Sequence, residues 1–131
     1  MEREILFRGK RIDNGEWVKG IYSPYNWDIF GDCMVKEPQI IIISDDENSG
    51  LWCDVIPETV GQYTGLNDKN GRKIFEGDIV KHDNKIYVIK YLEKYARFAP
   101  TNSHSVFMVC AFEQLEIIGN IHDNPELLKE E

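Results

Sequence analysis

The sequence predicts a mainly β protein, a small barrel or sandwich with one short helix near the C-terminus. Two observations predict this fold class. Short extended runs rich in β-branched and aromatic residues recur along the 131-residue chain, and turn residues separate them at intervals of about 8–12 residues. The densest example is QYTGLNDKNGRKIFEGDIVK at 62–81, which combines two turns with two short strands. The length corresponds to one domain, or to two small subdomains that share a core.

The first element predicted is a hairpin over 2–22. EREILFRGKR alternates in the manner of a strand, DNG at 13–15 is a strong turn, and EWVKGIY at 16–22 is the return strand. Gly20 within it indicates a bulge or a close approach. Four cations allow a phosphate-binding arm, but the acidic neighbours largely cancel them and favour a solvated strand face. These cations are Arg3, Arg8, Lys10 and Arg11.

The loop SPYNW at 23–27 carries two aromatic residues, Tyr25 and Trp27, which either anchor a partner or fold back onto the sheet. QIIIIS at 39–44 is predicted to be a strand covered on both faces. The acidic loop DDENSG at 45–50 suggests calcium ligands, but it lacks the EF-hand spacing, and a solvated loop is the favoured interpretation. LWCDVI at 51–56 returns as another strand.

The second half of the chain repeats this pattern. DKNG at 68–71 predicts a tight hairpin loop, and Glu76 and Asp78 flank a turn glycine, where turn geometry is favoured over an acid/base pair. KIYVIKY at 85–91 is apolar on both faces, 93–104 is predicted to be a polar loop, and VFMVCAF at 106–112 is predicted to be the most buried strand. A closing strand follows at 115–121. Asn124 as N-cap and Pro125 at the first helical position predict the helix at 125–130.

Composition excludes several classes of function. No run of 18 or more apolar residues predicts a transmembrane helix, and the charged start of the chain is unlike a signal peptide; a cytosolic protein is expected. Cys33, Cys53 and Cys110 are far apart and predict free thiols rather than disulfides. The three histidines fall at no ligand spacing with them. No metal, cofactor or catalytic residue is therefore expected, and the protein is not expected to be an enzyme.

Six blocks of the sequence resemble the YopX family of small phage and prophage proteins from low-GC Gram-positive bacteria. The blocks span nearly the whole chain in the expected order. They are REILFR at 3–8, EWVKG at 16–20, TVGQYTGL at 59–66, DKNG at 68–71, IFEGDIV at 74–80 and IGNIHDNPELL at 118–128.

The resemblance implies an N-terminal β subdomain at 1–60, packed on a C-terminal SH3-like barrel subdomain at 61–131 that ends in the short helix. It also implies a phage or prophage protein in the cytoplasm of a bacterial host, and a tendency to self-associate. No activity is established for the family, so no catalytic residue is carried over. The cysteines and the SPYNW loop lie outside the shared blocks.

A non-catalytic, self-associating interaction or assembly module is the favoured function. The strands predicted at 39–44, 85–91 and 106–112 are apolar on both faces, and a small chain has limited interior in which to bury them. The expected partner is a second copy, with a phage or host protein as a further candidate; the alternative is that the two subdomains cover each other. The candidate interaction residues are Tyr25, Trp27, Tyr87 and Tyr91.

The alternative function is nucleic-acid binding by an SH3-like barrel through the basic segment 69–97. This segment holds 8 basic and 4 acidic residues, whereas 1–60 holds 6 basic and 12 acidic residues. The overall net charge of −8 disfavours binding to a phosphate backbone unless the cations share one face. The stacking candidates are Tyr87, Tyr91, Tyr95 and Phe98. The candidate phosphate contacts are Lys69, Arg72, Lys73, Lys81, Lys85, Lys90, Lys94 and Arg97.

Overall fold

The computed structural model describes residues 5–23, 26–27, 34–35, 39–42, 52–102, 106 and 111–128. These residues confirm the mainly β fold class, since they form antiparallel strands joined by turns and short 3-10 helices. The 3-10 helices are Pro57–Thr59, Phe112–Gln114 and Pro125–Leu128. The SH3-like barrel and the packing of one subdomain on the other stay predictions. No helix in the described part of the chain is both long and apolar enough to cross a membrane.

The chain divides into two compact units, Met1–Gln62 and Tyr63–Glu131. The strands of the first unit are β1 (Phe7–Lys10), β2 (Trp17–Ser23), β3 (Asn26–Trp27), β4 (Met34–Val35), β5 (Gln39–Ile42) and β6 (Trp52–Asp54). β7 (Gly61–Asn67) begins in the first unit and continues into the second. The second unit also holds β8 (Lys73–Phe75), β9 (Asp78–His82), β10 (Lys85–Leu92), β11 (Arg97–Thr101) and β12 (Glu116–Asn120).

The sheet of the first unit has the order β6-β5-β2-β1-β7, all antiparallel. The predicted turn at 13–15 joins β1 to β2, with Gly15 at φ 73°. A bridge between Arg11 and Val55 links the end of β1 to the end of β6. The sheet therefore curls until the end of its edge strand β6 meets the end of β1, and Val55 and Cys53 are buried.

Antiparallel partners point to the same side of a sheet, so the register separates the two faces of the first unit. Phe7 pairs with Gly20, and the Phe7 ring meets the ring of Tyr22 at 5.3 Å on the inner face. Arg8 pairs with Lys19, and Lys10 pairs with Trp17, on the opposite face. Gly20 is buried and regularly paired with Phe7 and Ile42, so the bulge predicted there does not form, and the close approach stays a prediction.

The second unit contains a four-stranded antiparallel sheet of order β11-β10-β9-β12. It also contains the hairpin formed by the end of β7 and by β8. Asp83 and Asn84 both have positive φ, as a tight two-residue turn between β9 and β10 requires. The core cluster of this unit contains Ile74, Val80, Tyr87, Ile89, Phe112 and Leu115.

Two expectations for the second unit were wrong, and one strand was missed. The segment 93–104 was predicted to be a polar loop, but it contains β11. Pro100 of β11 is buried and pairs with Ile89, and β11 can contain a proline because it is an edge strand. β7 was not predicted. Val106 is 42% exposed rather than buried, and residues 107–110 of that predicted strand lie outside the described residues.

The C-terminal helix differs from its prediction in its type and in the role of Asn124. Pro125–Leu128 is a 3-10 helix, and residues 129 and 130 lie outside the description. Asn124 does not cap it with its side chain; its Oδ1 atom instead accepts the N–H of Asn120 at 3.2 Å. This backward reach requires Gly119, because a Cβ there would lie 2.6 Å from Asn124 Oδ1. The register between β9 and β12 shifts between Ile117 and Gly119.

Candidate interaction surfaces

The turn at 68–72 is organised by a buried carboxylate. Asp68 Oδ1 accepts the backbone N–H groups of Asn70 and Arg72, both at 2.9 Å, and Oδ2 accepts the N–H of Ile117 in β12 at 3.1 Å. The guanidinium of Arg72 lies 3.8 Å from Asp68 and donates to the Ile117 carbonyl. The backbone of Lys69 donates to Leu115 at 2.9 Å. We call this set of contacts the Asp68 clamp, because it holds the β7–β8 turn to β12.

The Asp68 clamp favours the ionised carboxylate. Burial by itself favours the neutral acid, but the three backbone N–H donors and the Arg72 guanidinium outweigh it. They hold the pKa of Asp68 below its ordinary value. A buried anion that is satisfied in this way has a structural role, since its acceptor positions are occupied by the backbone.

The carboxylate at the next turn is used similarly. Asp78 is buried, and its Oδ2 accepts the N–H of Phe75 at 2.8 Å across a turn in which Gly77 has φ 92°. This is the turn role that the sequence favoured for it. Among the described residues, no three His, Cys, Asp or Glu side chains gather where they could hold a metal ion.

The eight cations of 69–97 fall into separate groups. Lys69 and Arg72 border the Asp68 clamp, with Lys69 Nζ 3.7 Å from Glu116. Lys73 lies over the ring of Tyr63 at 4.8 Å. Lys81 and Lys85 belong to the β9–β10 hairpin. The last three, Lys90, Lys94 and Arg97, belong to the β10–β11 hairpin.

An open polar groove of about 440 Å³ lies beside the first of these groups. Its lining mixes both signs of charge, because Lys69 and Lys81 face Glu116 and Asp83 there. His82 Nε2 approaches Asp83 at 3.5 Å. Opposite charges this close screen one another, so the groove has no strong preference for a cation or an anion.

The β10–β11 hairpin ends in a surface that we call the hairpin arm, residues 90–98. Tyr91 is 44% exposed and meets Phe98 edge to face at 5.1 Å, while Tyr95 at the tip is 53% exposed. Lys94 Nζ lies 5.6 Å from the centre of the Tyr95 ring. The tip closes through Ala96, which has φ 52°. By the register, Lys90 and Arg97 lie on the opposite face of the hairpin arm from Tyr91 and Phe98, so Lys94 is the cation of the arm that lies beside an exposed ring.

A second surface, the outer face of the first unit, consists of Arg8, Lys10, Trp17, Lys19 and Ile21. The guanidinium of Arg8 lies 4.8 Å from the centre of the half-buried Trp17 ring, and Lys10 Nζ lies 5.7 Å from it. Ile21 follows on the same face of β2 and is 51% exposed. The alternation of Trp17, Lys19 and Ile21 was visible in the sequence, but which face is solvated depends on the long-range pairing with β1 and β5.

The predicted interaction residues differ in placement. Tyr87 is only 6% exposed, because the alternation of β10 points it with Ile89 into the core cluster. Tyr91 is exposed. Trp27 lies in the short strand β3, and its side chain is outside the description, as is the whole of Tyr25. Of the three cysteines, Cys53 is a buried free thiol, while Cys33 and Cys110 lie outside the described residues.

Comparisons with known proteins agree with this architecture. The family model described as YopX protein matches residues 7–129. The crystal structure of protein EF1440 from Enterococcus faecalis is 25% identical in sequence and superimposes with a TM-score of 0.58. That match covers 98% of this chain and 100% of the other. A search of curated proteins found no match.

Proposed function

Since the chain belongs to the YopX family, we propose that it is a non-catalytic protein-interaction module that self-associates. Its setting in this proposal is the cytoplasm of a bacterial host, as the product of a phage or prophage. The partner is a second copy of the chain, and a phage or host protein is a further candidate partner.

The observation that carries this proposal is the outer face of the first unit. In an antiparallel sheet with one face packed on a core, the other face is ordinarily polar. Here that face presents Ile21, 51% exposed at the centre of the sheet, on the same strand as a half-buried Trp17. Large apolar side chains on an exposed sheet face are typical of a surface that a partner covers.

The net charge of the chain distinguishes a second copy from an oppositely charged partner, because the two contacts respond differently to salt. Two copies, each with a net charge of −8, repel one another, and salt screens that repulsion. A contact between two outer faces also brings cations against cations. Self-association is therefore expected to strengthen as salt rises, whereas binding to an oppositely charged partner would weaken.

The experiment is sedimentation velocity over a range of protein concentrations, with Ile21→Gln compared with Ile12→Gln. Ile12 is 63% exposed but lies beyond β1, outside the outer face, so it is a matched control. We expect Ile21→Gln to lower the association constant about ten-fold or more, because apolar area is lost from the contact, and Ile12→Gln to change it little. Equal effects of the two substitutions would contradict the proposed surface.

A further inference from the structure

We propose that Asn14 is a site of spontaneous deamidation, and that the Asp68 clamp protects Asn70 from the same reaction. The sequence contains two Asn-Gly pairs, Asn14-Gly15 and Asn70-Gly71. An asparagine followed by glycine is prone to this modification, because glycine has no Cβ to shield its backbone nitrogen. The proposal does not depend on self-association, since it concerns the chemistry of a single chain.

The reaction joins an asparagine side chain to the backbone of the glycine that follows it. Hydroxide removes the proton of the glycine N–H, and the nitrogen attacks Cγ of the asparagine. A C–N bond forms, the side-chain amide nitrogen leaves as ammonia, and the product is a cyclic succinimide. Water then opens the ring at one of its carbonyls, which gives aspartate or isoaspartate. The reaction needs no enzyme, but the glycine N–H must first be released from its hydrogen bond.

Exposure and local geometry do not distinguish the two pairs. Both asparagines and both glycines are exposed, and a Cβ on either glycine would meet nothing within 4 Å. Each glycine N–H is also bonded within its own turn. Gly15 donates to the Arg11 carbonyl and Gly71 to the Asp68 carbonyl, both at 3.0 Å. The two rates therefore depend on how readily each turn opens to release that N–H.

The turn at 13–15 is closed by bonds that water can replace. The carboxylate of Asp13 takes part in an exposed ion pair, which contributes little to stability. The Oδ1 atom of Asn14 accepts the N–H of Glu16 at 2.9 Å, and this bond is also exposed. It spans Gly15, the residue whose nitrogen attacks the Asn14 side chain. We therefore expect this turn to open locally while the sheet stays folded.

The turn at 68–72 opens only if the Asp68 clamp is broken. Asp68 is buried, and its Oδ1 atom accepts the N–H groups of Arg72 and of Asn70, the residue that would be modified. Its Oδ2 atom accepts the N–H of Ile117 in β12. Opening would leave a buried carboxylate without these donors, which costs more than the loss of exposed bonds. Deamidation of Asn70 should therefore be slow in the folded protein.

The products alter the end of the β1–β2 hairpin. Aspartate at this position places a new carboxylate next to Asp13 in the sequence, and isoaspartate also lengthens the main chain of the turn by one carbon. The nearest strand pair on the outer face of the first unit is Lys10 with Trp17. Each modified chain therefore gains a negative charge beyond this pair, and ion-exchange chromatography can separate it from the unmodified chain.

The experiment follows both asparagines in one sample of the full chain, by peptide mapping and mass spectrometry during incubation at mildly alkaline pH. The same mapping on the urea-unfolded chain gives the intrinsic rate at each position, and the folded-state rate is divided by it. We expect this ratio to be about ten-fold or more higher at Asn14 than at Asn70, because opening the clamp leaves a buried charge without its donors.

Asp68→Ala should raise the ratio at Asn70 several-fold and leave the ratio at Asn14 unchanged. Asp68→Asn is a milder second variant, because its amide retains one oxygen acceptor and loses the other. It should change the two ratios in the same directions. Asn14→Gln is the matched control, which should abolish the acidic product of the first turn and leave the rate at Asn70 as in the wild type.

Two results would overturn the inference. The first is that Asn14 and Asn70 have equal ratios in the folded wild type, since the clamp would then give no protection. The second is that Asp68→Asn raises both ratios by the same factor, which would show that unfolding of the whole chain, rather than opening of the clamp, controls the reaction at Asn70.

Discussion

The turn at 13–15 in the first unit and the turn at 68–72 in the second are built from the same residue types. Each contains Asp, Asn and Gly, and each places its glycine in the left-handed region, Gly15 at φ 73° and Gly71 at φ 80°. In each, an arginine approaches the aspartate. The side chain of Asp13 is 64% exposed, however, whereas that of Asp68 is fully buried.

The difference lies in what each carboxylate holds. Asp13 forms a two-point contact with Arg11, at 2.9 and 2.7 Å, and this local bond is the main cause of its lowered pKa. Asp68 accepts N–H groups from its own turn and from Ile117, 49 residues away in sequence. The same turn chemistry thus closes a local hairpin in one unit and joins distant strands in the other.

The largest effect is expected from removing the buried carboxylate. Asp68→Ala leaves three backbone N–H groups of the clamp without their acceptor, and we expect the free energy of unfolding to fall by about 3 kcal/mol. Asp13→Ala loses only an exposed ion pair and should leave the urea midpoint unchanged. Urea unfolding of the two variants checks this, and similar midpoints would remove the distinction between the turns.

Acid should lower stability through the Asp68 clamp. Because the folded-state pKa of Asp68 is lowered, the unfolded state binds the proton more readily. The stabilisation is therefore present above the unfolded-state pKa, about 3.9, and is lost as the pH falls through the folded-state value. In Asp68→Asn this component is absent, so the difference in urea midpoint from the wild type should narrow below about pH 4. A constant difference down to low pH would contradict this.

Substitution of Gly15 and of Gly71 should change stability by similar amounts. That result would confirm that the difference between the two turns comes from Asp13 and Asp68. A Cβ on Gly15 or on Gly71 would meet nothing within 4 Å, so only the positive φ opposes a side chain. Gly15→Ala and Gly71→Ala should each cost about 1 kcal/mol. Thermal unfolding measures both, and a much larger loss at Gly71 would show that the backbone of that turn is also under tertiary constraint.

The smallest effect is expected at a third turn, the tip of the hairpin arm. Ala96 has φ 52°, a conformation that glycine adopts at lower cost. Ala96→Gly should raise the free energy of unfolding by about 0.5 kcal/mol, because relief of the strain exceeds the greater entropy of the unfolded chain. A lower thermal midpoint would indicate that the Ala96 methyl makes contacts that outweigh the strain.

Local patterns predicted most of the strands but not what the turns contact. The DNG turn, the β9–β10 turn and the strands at 17–23 and 85–92 follow from turn residues and alternation. At 68–71 the predicted turn forms, with Gly71 at positive φ and the N–H of Asn70 bonded to Asp68 Oδ1. The bond from Asp68 to Ile117 has no local signal.

The candidate surfaces were predicted only in part. Tyr91 and the cations of the hairpin arm were visible as residue types, but β11 was hidden by the polar sequence of 93–97 and by Pro100. Tyr87 and Tyr91 lie on the same face of β10, but Tyr87 packs in the core cluster, whereas Tyr91 lies nearer the hairpin tip and is exposed. Ile21 became a candidate only when the pairing of β2 with β1 and β5 identified the outer face.

The proposal of self-association is tested most directly by light scattering on a size-exclusion column, at low and at high salt. The account predicts a mass that is a multiple of 15.3 kDa, retained or raised at high salt, and shifted towards the single-chain value by Ile21→Gln. A mass of 15.3 kDa at both salts, even at high protein concentration, would contradict it.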